Sequence, residues 1–222
     1  MIGVVVPAHD EEALIGRCLT ALREAAAHPD LRDEPVEIVV VLDACMDGTA
    51  AVVAMHGAAS ITVQVKNVGA ARAAGAGALI ERGARWLAFT DADSEVHGDW
   101  LARQLDAASD AVCGVVAIAD WTGHAEDVRR LYESSYVDAE DHRHIHGASM
   151  GVSAEAYLRS GGFPPLRSSE DVALIRLLSD AGAAIRWTNR VRVRTSARRV
   201  ARAPDGFAAH LLALAEPHAS TS

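Results

Sequence analysis

Short uninterrupted apolar runs alternate along the chain with longer stretches of helical character. The runs lie at residues 2–7, 36–43, 61–65 and 85–91, and each is followed by polar residues or ends in proline. Between them, residues 11–27 carry an apolar stripe at helical spacing, and residues 47–57 and 69–83 close on a glycine that suits a helix C-cap. Apolar runs of this length predict strands that are buried on both faces.

This β-α-β-α-β-α-β order within residues 2–91 predicts an α/β fold, with a Rossmann-like, mostly parallel central sheet and helices on both faces. Farther along, we expect a helix in 99–109, a strand in 111–121, a polar helix in 124–141 and a strand near 184–189 and 191–196. No internal repeat or linker divides the chain, so we expect a single domain over residues 1–215. Its last part would be a short helix, and residues 216–222 a disordered tail.

Polar segments follow each of the first four predicted strands: "PAHDEE", "LDACMDG", "KNVG" and "TDADS". In open sheets of parallel strands, ligands bind outside the carboxyl ends of the strands. The sequence therefore predicts a small-molecule site along this edge of the sheet.

Composition narrows the classes of partner. The chain has 222 residues, half of them hydrophobic, and a formal net charge of −9, which disfavours binding to nucleic acid. Its three cysteines show no zinc or disulfide spacing. No apolar run approaches the roughly 20 residues of a membrane span, and the first run lacks the features of a signal peptide. We therefore expect a soluble, cytoplasmic protein without an integral membrane segment.

Asp91 and Asp93 follow an apolar run in the segment "FTDADS". On an extended backbone, residues two apart face the same side, so both carboxylates could converge on one divalent cation. Mg²⁺ and Mn²⁺ prefer such oxygen ligands. The competing interpretation is a solvated strand end, which the motif alone does not exclude.

A second acidic pair, Glu170 and Asp171, precedes an apolar helical run. Acidic residues suit the first turn of a helix, and Ser168 or Ser169 could cap it. The functional alternative is that one of the two carboxylates is a general base that accepts a hydroxyl proton.

Two further residues have both a structural and a functional interpretation. Asp43 ends a predicted strand, where it could bind a base or ribose, or cap a turn. Arg72 lies within "NVGAARAAG", whose glycine-rich turn into a helix could approach a phosphate. Local sequence slightly favours an ordinary surface arginine. Neither the G-x-G-x-x-G nor the P-loop pattern is present, so a nicotinamide or P-loop site has little support.

Histidine and arginine clusters occur in the second half of the chain. His142, His144 and His146 could present imidazoles to a metal if they lay on a strand, but a polar loop beside the pocket is the favoured interpretation. Arg198 and Arg199 belong to a basic run that could form a solvated face or clamp a diphosphate.

Taken together, the motifs resemble those of family 2 glycosyltransferases of the GT-A fold. That family opens with a strand and P-A-x-N-E-E, matched here by "VVVPAHDEE". There follow a strand ending in aspartate with D-G-T ("VVVLDACMDGT"), N-x-G with a downstream arginine ("NVGAARAAG") and D-x-D ("FTDADS"). A G-A-x-M segment, a G-G-F loop and an E-D pair complete the order, in "GASMGVSAEAYLRSGGFPP" and "SEDVAL". The matches cover roughly residues 2–180.

The resemblance implies an enzyme that transfers a sugar from a nucleotide-diphosphate sugar to a hydroxyl group, with Mn²⁺ or Mg²⁺ as cofactor. Residues 1–95 would be the nucleotide-binding half of the domain and 96–215 the acceptor-side half. Asp171, with Glu170 beside it, would be the catalytic base of an inverting reaction. Asp93, together with Asp91, would bind the metal. The donor-binding residues would be Pro7, Ala8, His9, Glu12, Asp43, Arg72, Asp91, Arg198 and Arg199. His146, Gly147 and Ala148 would contact the acceptor.

Some features depart from the family pattern. Asp10 replaces the usual asparagine and His9 a frequent tyrosine, which leaves the nucleobase open. Metal-dependent relatives often have a later histidine ligand, and no histidine lies between Asp171 and His210. The chain is short and has no C-terminal membrane helices, so we expect a small soluble or peripheral acceptor. The alternatives are a sugar nucleotidyltransferase and a non-catalytic nucleotide-sugar-binding protein, and a homodimer is left open.

Overall fold

A computed structural model describes residues 1–118, 120–122, 125–166 and 168–196. Its strands are β1 (Ile2–Ala8), β2 (Val36–Asp43), β3 (Ala59–Val63), β4 (Trp86–Phe89), β5 (Ser94–Val96), β6 (Ala111–Ile118), β7 (Met150–Ser153) and β8 (Ile185–Thr195). Its helices are α1 (Ile15–Ala26), α2 (Thr49–Met55), α3 (Val68–Glu81), α4 (Trp100–Asp106), α5 (Glu126–Ser135), α6 (Ala154–Ser160) and α7 (Glu170–Asp180), with a 3₁₀ turn at Pro29–Leu31. The predicted helix and tail near the C-terminus, Arg198 and Arg199 lie outside the described residues.

The eight strands form one sheet in the order β3-β2-β1-β4-β7-β6-β8-β5. The first four strands of that order pair in parallel, and so do β6 and β8. Antiparallel pairing joins β7 to β4 and to β6, and β5 to β8. The predicted α/β fold with a mostly parallel sheet is confirmed.

Two apolar cores cover the two faces of the sheet. In β1, Ile2, Val4 and Val6 belong to the core beneath α1 and α4, whereas Val5 belongs to the core beneath α3, α6 and α7. This division follows from the alternation of side chains along a strand. The predicted helices on both faces are therefore confirmed.

The glycine-rich helix α3 packs very close to the sheet. A Cβ at Gly75 would lie 2.6 Å from a Val5 methyl group and 2.9 Å from one of Val41, so a larger residue does not fit there. The small residues of "NVGAARAAGAG" thus serve the contact between helix and sheet. Any long side chain on the inner face of α3 must be buried with them.

The strand expected near 184–189 and 191–196 is confirmed as β8, which runs through both segments. Two local features differ from the predictions. The short strand β5 was not predicted, because three residues carry too little periodic signal and β5 depends on pairing with β8. The first helix begins at Ile15, four residues later than the pattern suggested. Among the described helices, none combines the length and apolar character needed to cross a membrane.

Candidate active site

Asp91 and Asp93 lie at the carboxyl end of β4, as predicted, but not on an extended backbone. The amide of Ser94 donates to the carbonyl of Asp91 at 3.1 Å, which closes residues 91–94 into a turn. The two carboxylates consequently contact different elements. Asp91 Oδ1 accepts a hydrogen bond of 2.5 Å from Arg72 in α3, and Asp93 Oδ1 lies 3.4 Å from the Thr195 hydroxyl at the end of β8. The expectation of an extended segment was wrong.

Arg72 is the buried centre of the site rather than a surface residue, which corrects the interpretation favoured by local sequence. Its side chain is 3% exposed, and it forms ion pairs with both Asp91 and Glu170. Burial alone would lower the pKa of Arg72, but the carboxylates of Asp91 and Glu170 raise it above the ordinary value. Arg72 therefore joins the turn after β4 to the start of α7 as a fixed cation.

Glu170 and Asp171 have different surroundings although they are adjacent. Glu170 is buried, and this burial raises its pKa in spite of the opposing effect of Arg72. Asp171 is partly exposed; its Oδ2 accepts a hydrogen bond of 2.8 Å from the Gly147 amide, and its Oδ1 accepts one of 2.8 Å from Val172. Asp171 is thus the accessible carboxylate of the pair, held in a defined orientation.

Gly147 brings the predicted acceptor segment against the predicted base. A Cβ at this position would overlap the Arg72 guanidinium, so a larger residue here would have to displace that ion-paired group. Ala148 follows, nearly buried, and the amide of Ser149 closes a turn on the carbonyl of His146 at 2.9 Å. The loop of residues 146–149 is therefore fixed on one side by Arg72 and on the other by Asp171.

Helix α7 begins at its predicted position. Of the two serines that could cap it, Ser169 occupies the N-cap position with a φ of 57°, and its side chain makes no capping hydrogen bond. The first turn is instead joined to the rest of the site through Glu170 and Asp171.

The loops after β1 and β2 are tied together by carboxylates. Asp10 Oδ1 accepts hydrogen bonds from the amides of Met46 and Asp47 at 2.7 and 3.3 Å, and Glu12 Oε2 accepts one from Gly48 at 2.9 Å. His9 Nδ1 lies 2.6 Å from the carbonyl of Asp43. Together with Pro7 and Ala8 at the end of β1, these residues lie at the strand edge where a ligand was expected.

Asp43 has the turn-capping role that was one of its two interpretations. Its carboxylate accepts hydrogen bonds from the three consecutive amides of residues 65–67, at 2.9 to 3.0 Å. Asn67 in turn caps α3, accepting a bond of 2.9 Å from Ala70. Asp43 therefore fixes the approach to the helix that carries Arg72.

The three histidines do not lie on a strand, and the loop interpretation is confirmed. His142 is buried, which lowers its pKa, and the His144 ring stacks on Tyr136 at a centroid distance of 4.1 Å. His146 Nε2 lies 3.1 Å from the Tyr136 hydroxyl. Within the described part of the chain, no group of three or more His, Cys, Asp or Glu side chains is arranged to hold a metal ion.

The geometry agrees with a sequence comparison. The sequence profile of the family described as "Glycosyl transferase family 2" matches residues 3–157, more than half of the chain. The chain belongs to glycosyltransferase family 2. A search of curated proteins found no match.

Solved structures show the same fold at low sequence identity. Staphylococcus aureus TarS 1–349 in complex with UDP-GlcNAc aligns with a TM-score of 0.68 and 17% identity over 93% of this chain and 61% of that one. The mannosyltransferase PcManGT from Pyrobaculum calidifontis, in complex with GDP-Man and Mn²⁺, gives a TM-score of 0.63 and 20% identity over 89% and 57%. The chain thus spans about three fifths of the length of these neighbours.

A third similar structure is that of glucosyl-3-phosphoglycerate synthase from Mycobacterium tuberculosis with Mn²⁺, UDP and glucosyl-3-phosphoglycerate. It aligns with a TM-score of 0.61 and 20% identity over 89% of this chain and 72% of that one. All three neighbours share the central fold of this chain, as the sequence motifs indicated. The resemblance to the family is confirmed.

The carboxylates of this glycosyltransferase fit a divalent cation only in part. Asp93 supplies hard oxygen ligands, and Mg²⁺ is commonly held by one or two carboxylates with substrate phosphates and water. Asp91 is already paired with Arg72, which leaves Asp93 as the better candidate. The chemistry of the residues therefore suits a cation that is completed by the donor.

Sequence reasoning missed the structural importance of Arg72 and Tyr136 in this family 2 glycosyltransferase. For Arg72, a signal was present: a long side chain in a helix of alanine and glycine must be buried when that helix packs closely on a sheet. For Tyr136, no local signal existed, because its hydroxyl joins the amide of Val116 in β6, at 2.9 Å, to His146 in a separate loop.

Proposed function

We propose that this glycosyltransferase moves a sugar from a nucleotide-diphosphate sugar to a hydroxyl of a small or peripheral acceptor, with inversion and with a divalent metal. One observation carries the proposal. The buried guanidinium of Arg72 joins Asp91, in the predicted donor and metal segment, to Glu170, the neighbour of the predicted base Asp171. Residues that the sequence predicted separately for donor binding and for catalysis thereby meet in one site.

The base would be Asp171. Because Oδ1 and Oδ2 each already accept one backbone hydrogen bond, the carboxylate keeps its orientation while its remaining lone pairs face an acceptor. As the acceptor hydroxyl attacks the anomeric carbon, Asp171 accepts its proton. The bond from that carbon to the diphosphate oxygen breaks, and the nucleoside diphosphate leaves. A single base of this kind suits inversion.

The donor would lie across the loops after β1, β2 and β4. Pro7, Ala8, His9 and Glu12 form the edge nearest the nucleoside, and Asp43 holds the loop that leads to Arg72. Since Asp43 already accepts three amide hydrogen bonds, at most one further donor group, such as a base N–H, can be accommodated there. Arg198 and Arg199, outside the described residues, are proposed to bind the diphosphate.

Asp93 would hold the metal, whose bound form neutralises charge on the diphosphate leaving group. Support comes from PcManGT and the mycobacterial synthase, which were both crystallised with Mn²⁺ and a nucleotide or nucleotide sugar. The Thr195 hydroxyl, 3.4 Å from Asp93 Oδ1 and 2.9 Å from the Ser94 hydroxyl, would help to orient this carboxylate.

The experiment is calorimetric titration with UDP, GDP, ADP and CMP, each with and without Mn²⁺. We expect one nucleoside diphosphate to bind with manganese dependence, and Asp93→Ala to remove that dependence. Asp180→Ala, at the exposed end of α7, is the matched control and should bind like the wild type.

The products formed from the corresponding nucleotide sugar decide between the alternatives. Release of the nucleoside diphosphate supports transfer, whereas release of pyrophosphate from nucleoside triphosphate and sugar phosphate would indicate a nucleotidyltransferase. Binding without turnover for any hydroxyl acceptor would indicate a non-catalytic protein. Failure of all four nucleotides to bind would contradict the proposed function.

A further inference from the structure

A cleft of about 400 Å³ opens between α5, the second half of β6 and the end of β8. We call it the α5 cleft. One wall consists of three aromatic rings in succession, with centroid distances of 5.6 Å from Trp121 to Tyr132 and 5.3 Å from Tyr132 to Tyr136. Arg192 and Arg194 of β8 also line the cleft. None of the predicted site residues lines this cleft.

One end of the α5 cleft is connected to the predicted base. The Tyr136 hydroxyl accepts a hydrogen bond from the Val116 amide and lies 3.1 Å from Nε2 of His146. His146 is followed by Gly147, whose amide donates to Asp171. The aromatic wall is therefore two contacts away from the carboxylate that would deprotonate an acceptor.

The other end approaches the predicted metal ligand. Arg194 immediately precedes Thr195, whose hydroxyl lies 3.4 Å from Asp93 Oδ1. The cleft is therefore lined at one end by a residue in contact with the loop that binds Asp171 and at the other by the neighbour of a residue in contact with Asp93.

Among the residues that the structure describes, the ion pairs around the α5 cleft involve its charged side chains except that of Arg194. Both terminal nitrogens of Arg192 are occupied by Asp138, at 2.7 and 2.9 Å, and Glu133 pairs with Arg129 at 2.9 Å. Glu95, opposite Arg194 across the β5–β8 pair, lies 3.7 Å from Arg17.

His97 is likewise close to an acid, with its Nδ1 3.4 Å from Asp99. Arg194 is exposed and, among the described residues, forms no ion pair. A guanidinium in this state can bind a carboxylate or a phosphate through paired N–H donors.

We infer that the α5 cleft binds the acceptor, and that this acceptor is a small hydroxyl compound carrying a carboxylate or phosphate group. Its anionic group pairs with Arg194, its carbon skeleton lies against the aromatic wall, and its hydroxyl is presented toward Asp171. The volume suits a molecule of small size, because pockets for compact ligands begin at roughly 300 Å³. The identification of this ligand as an acceptor rests on the proposed function.

The test uses three matched probes: glycerol, glycerate and glycerol phosphate. Their binding is measured by calorimetry, with and without the nucleoside diphosphate and Mn²⁺. We expect one charged probe to bind at least about tenfold more tightly than glycerol, since a charge-assisted hydrogen bond contributes on that scale. Preference for glycerate identifies a carboxylate acceptor, and preference for glycerol phosphate a phosphate acceptor.

Arg194→Gln should abolish this preference. Arg190→Gln is the matched control, because Arg190 lies on the same strand, is exposed and pairs with Asp106 outside the cleft. In steady-state assays with the preferred probe as acceptor, Arg194→Gln should raise KM about tenfold or more, whereas Arg190→Gln should leave it unchanged.

Equal affinities for the three probes would overturn the inference. It would also be overturned if Arg194→Gln and Arg190→Gln had the same probe affinity and the same KM. The binding assay does not depend on sugar transfer, so the two proposals can fail separately. Suppose that a charged probe binds selectively through Arg194 but no donor releases a nucleoside diphosphate. This result would contradict the proposed reaction, whereas the anion-binding site in the cleft would still be supported. If sugar transfer to acceptors is the same in the wild type and in Arg194→Gln, the proposed reaction stands, but the α5 cleft is not the acceptor site.

Discussion

Arg72 in α3 and Glu170 in α7 are 98 residues apart in the chain and form an ion pair in which both side chains are almost completely buried. The same guanidinium also binds Asp91. An ion pair of this kind is costly to break from one side, because the remaining carboxylate would be buried without a partner. The relationship therefore bears on stability as well as on the site.

Replacement of Arg72 by methionine, which keeps much of the side-chain volume, should destabilise the protein by about 3 kcal/mol or more. Urea unfolding followed by circular dichroism measures the change. The control is Arg82→Met, since Arg82 pairs with Glu37 at the surface and such exposed pairs contribute about 0–1 kcal/mol. A similar decrease in the free energy of unfolding in the two variants would show that the ion pairs of Arg72 stabilise the fold no more than an exposed pair does.

Asp171→Asn should lower the rate of sugar transfer by about 10²–10⁴-fold, the usual contribution of a general base, while the affinity for the nucleoside diphosphate stays unchanged. Asparagine retains an oxygen that can accept from Gly147 or Val172 but cannot take a proton from a hydroxyl. Turnover and calorimetry together measure both quantities. Asp180→Asn, in the last turn of the same helix, should behave like the wild type. Normal transfer by the Asp171 variant would exclude this residue as the base.

Tyr136→Phe should reduce kcat more than it reduces nucleotide affinity. The substitution keeps the ring stacked between Tyr132 and His144 but removes the hydroxyl that joins Val116 to His146. Losing these bonds should cost about 1–2 kcal/mol of stability and loosen the loop that orients Asp171.

Tyr157→Phe is the matched control for Tyr136, because the Tyr157 hydroxyl also accepts a backbone hydrogen bond, from Phe163 at 3.2 Å, but lies in a different part of the site. We expect a comparable loss of stability and a smaller change in kcat. A larger kcat effect in the Tyr157 variant would argue against positioning of Asp171 through Tyr136.

Thiol labelling tests whether the nucleotide binds at the loops after β1 and β2. Cys18 and Cys113 are buried, and burial raises the pKa of both thiols, that of Cys113 to about 12. Cys45 is partly exposed and its Sγ lies 3.3 Å from the Ala8 carbonyl. At pH 8, a soluble disulfide reagent should therefore label native protein slowly and at Cys45 alone, because reaction requires accessible thiolate.

The nucleoside diphosphate that binds in calorimetry should slow this labelling several-fold, since it would cover the loops after β1 and β2. A Cys45→Ser variant should show no labelling of the native protein, which is the control for assignment. Unchanged labelling at saturating nucleotide would place the nucleotide elsewhere.

Local sequence determined most of the architecture of this protein. Apolar runs of strand length and helical spacing are properties of neighbouring residues, so β1, β2, β4 and their helices could be predicted from them. Their order was sufficient to place the polar motifs at the carboxyl ends of parallel strands. The resemblance of those motifs to family 2 glycosyltransferases extended this prediction to the family and its fold, both of which were confirmed.

Tertiary structure decided what each polar side chain contacts. The turn at Asp91–Asp93, the burial of Arg72 and the link from Tyr136 to His146 all depend on contacts between separate elements. The missing cap from Ser169 and the unpredicted strand β5 are local features whose form depends on packing. No short window of sequence contains both partners of such a contact. Burial, which governs whether an arginine is a surface charge or the centre of a site, arises only when α3 packs against the sheet.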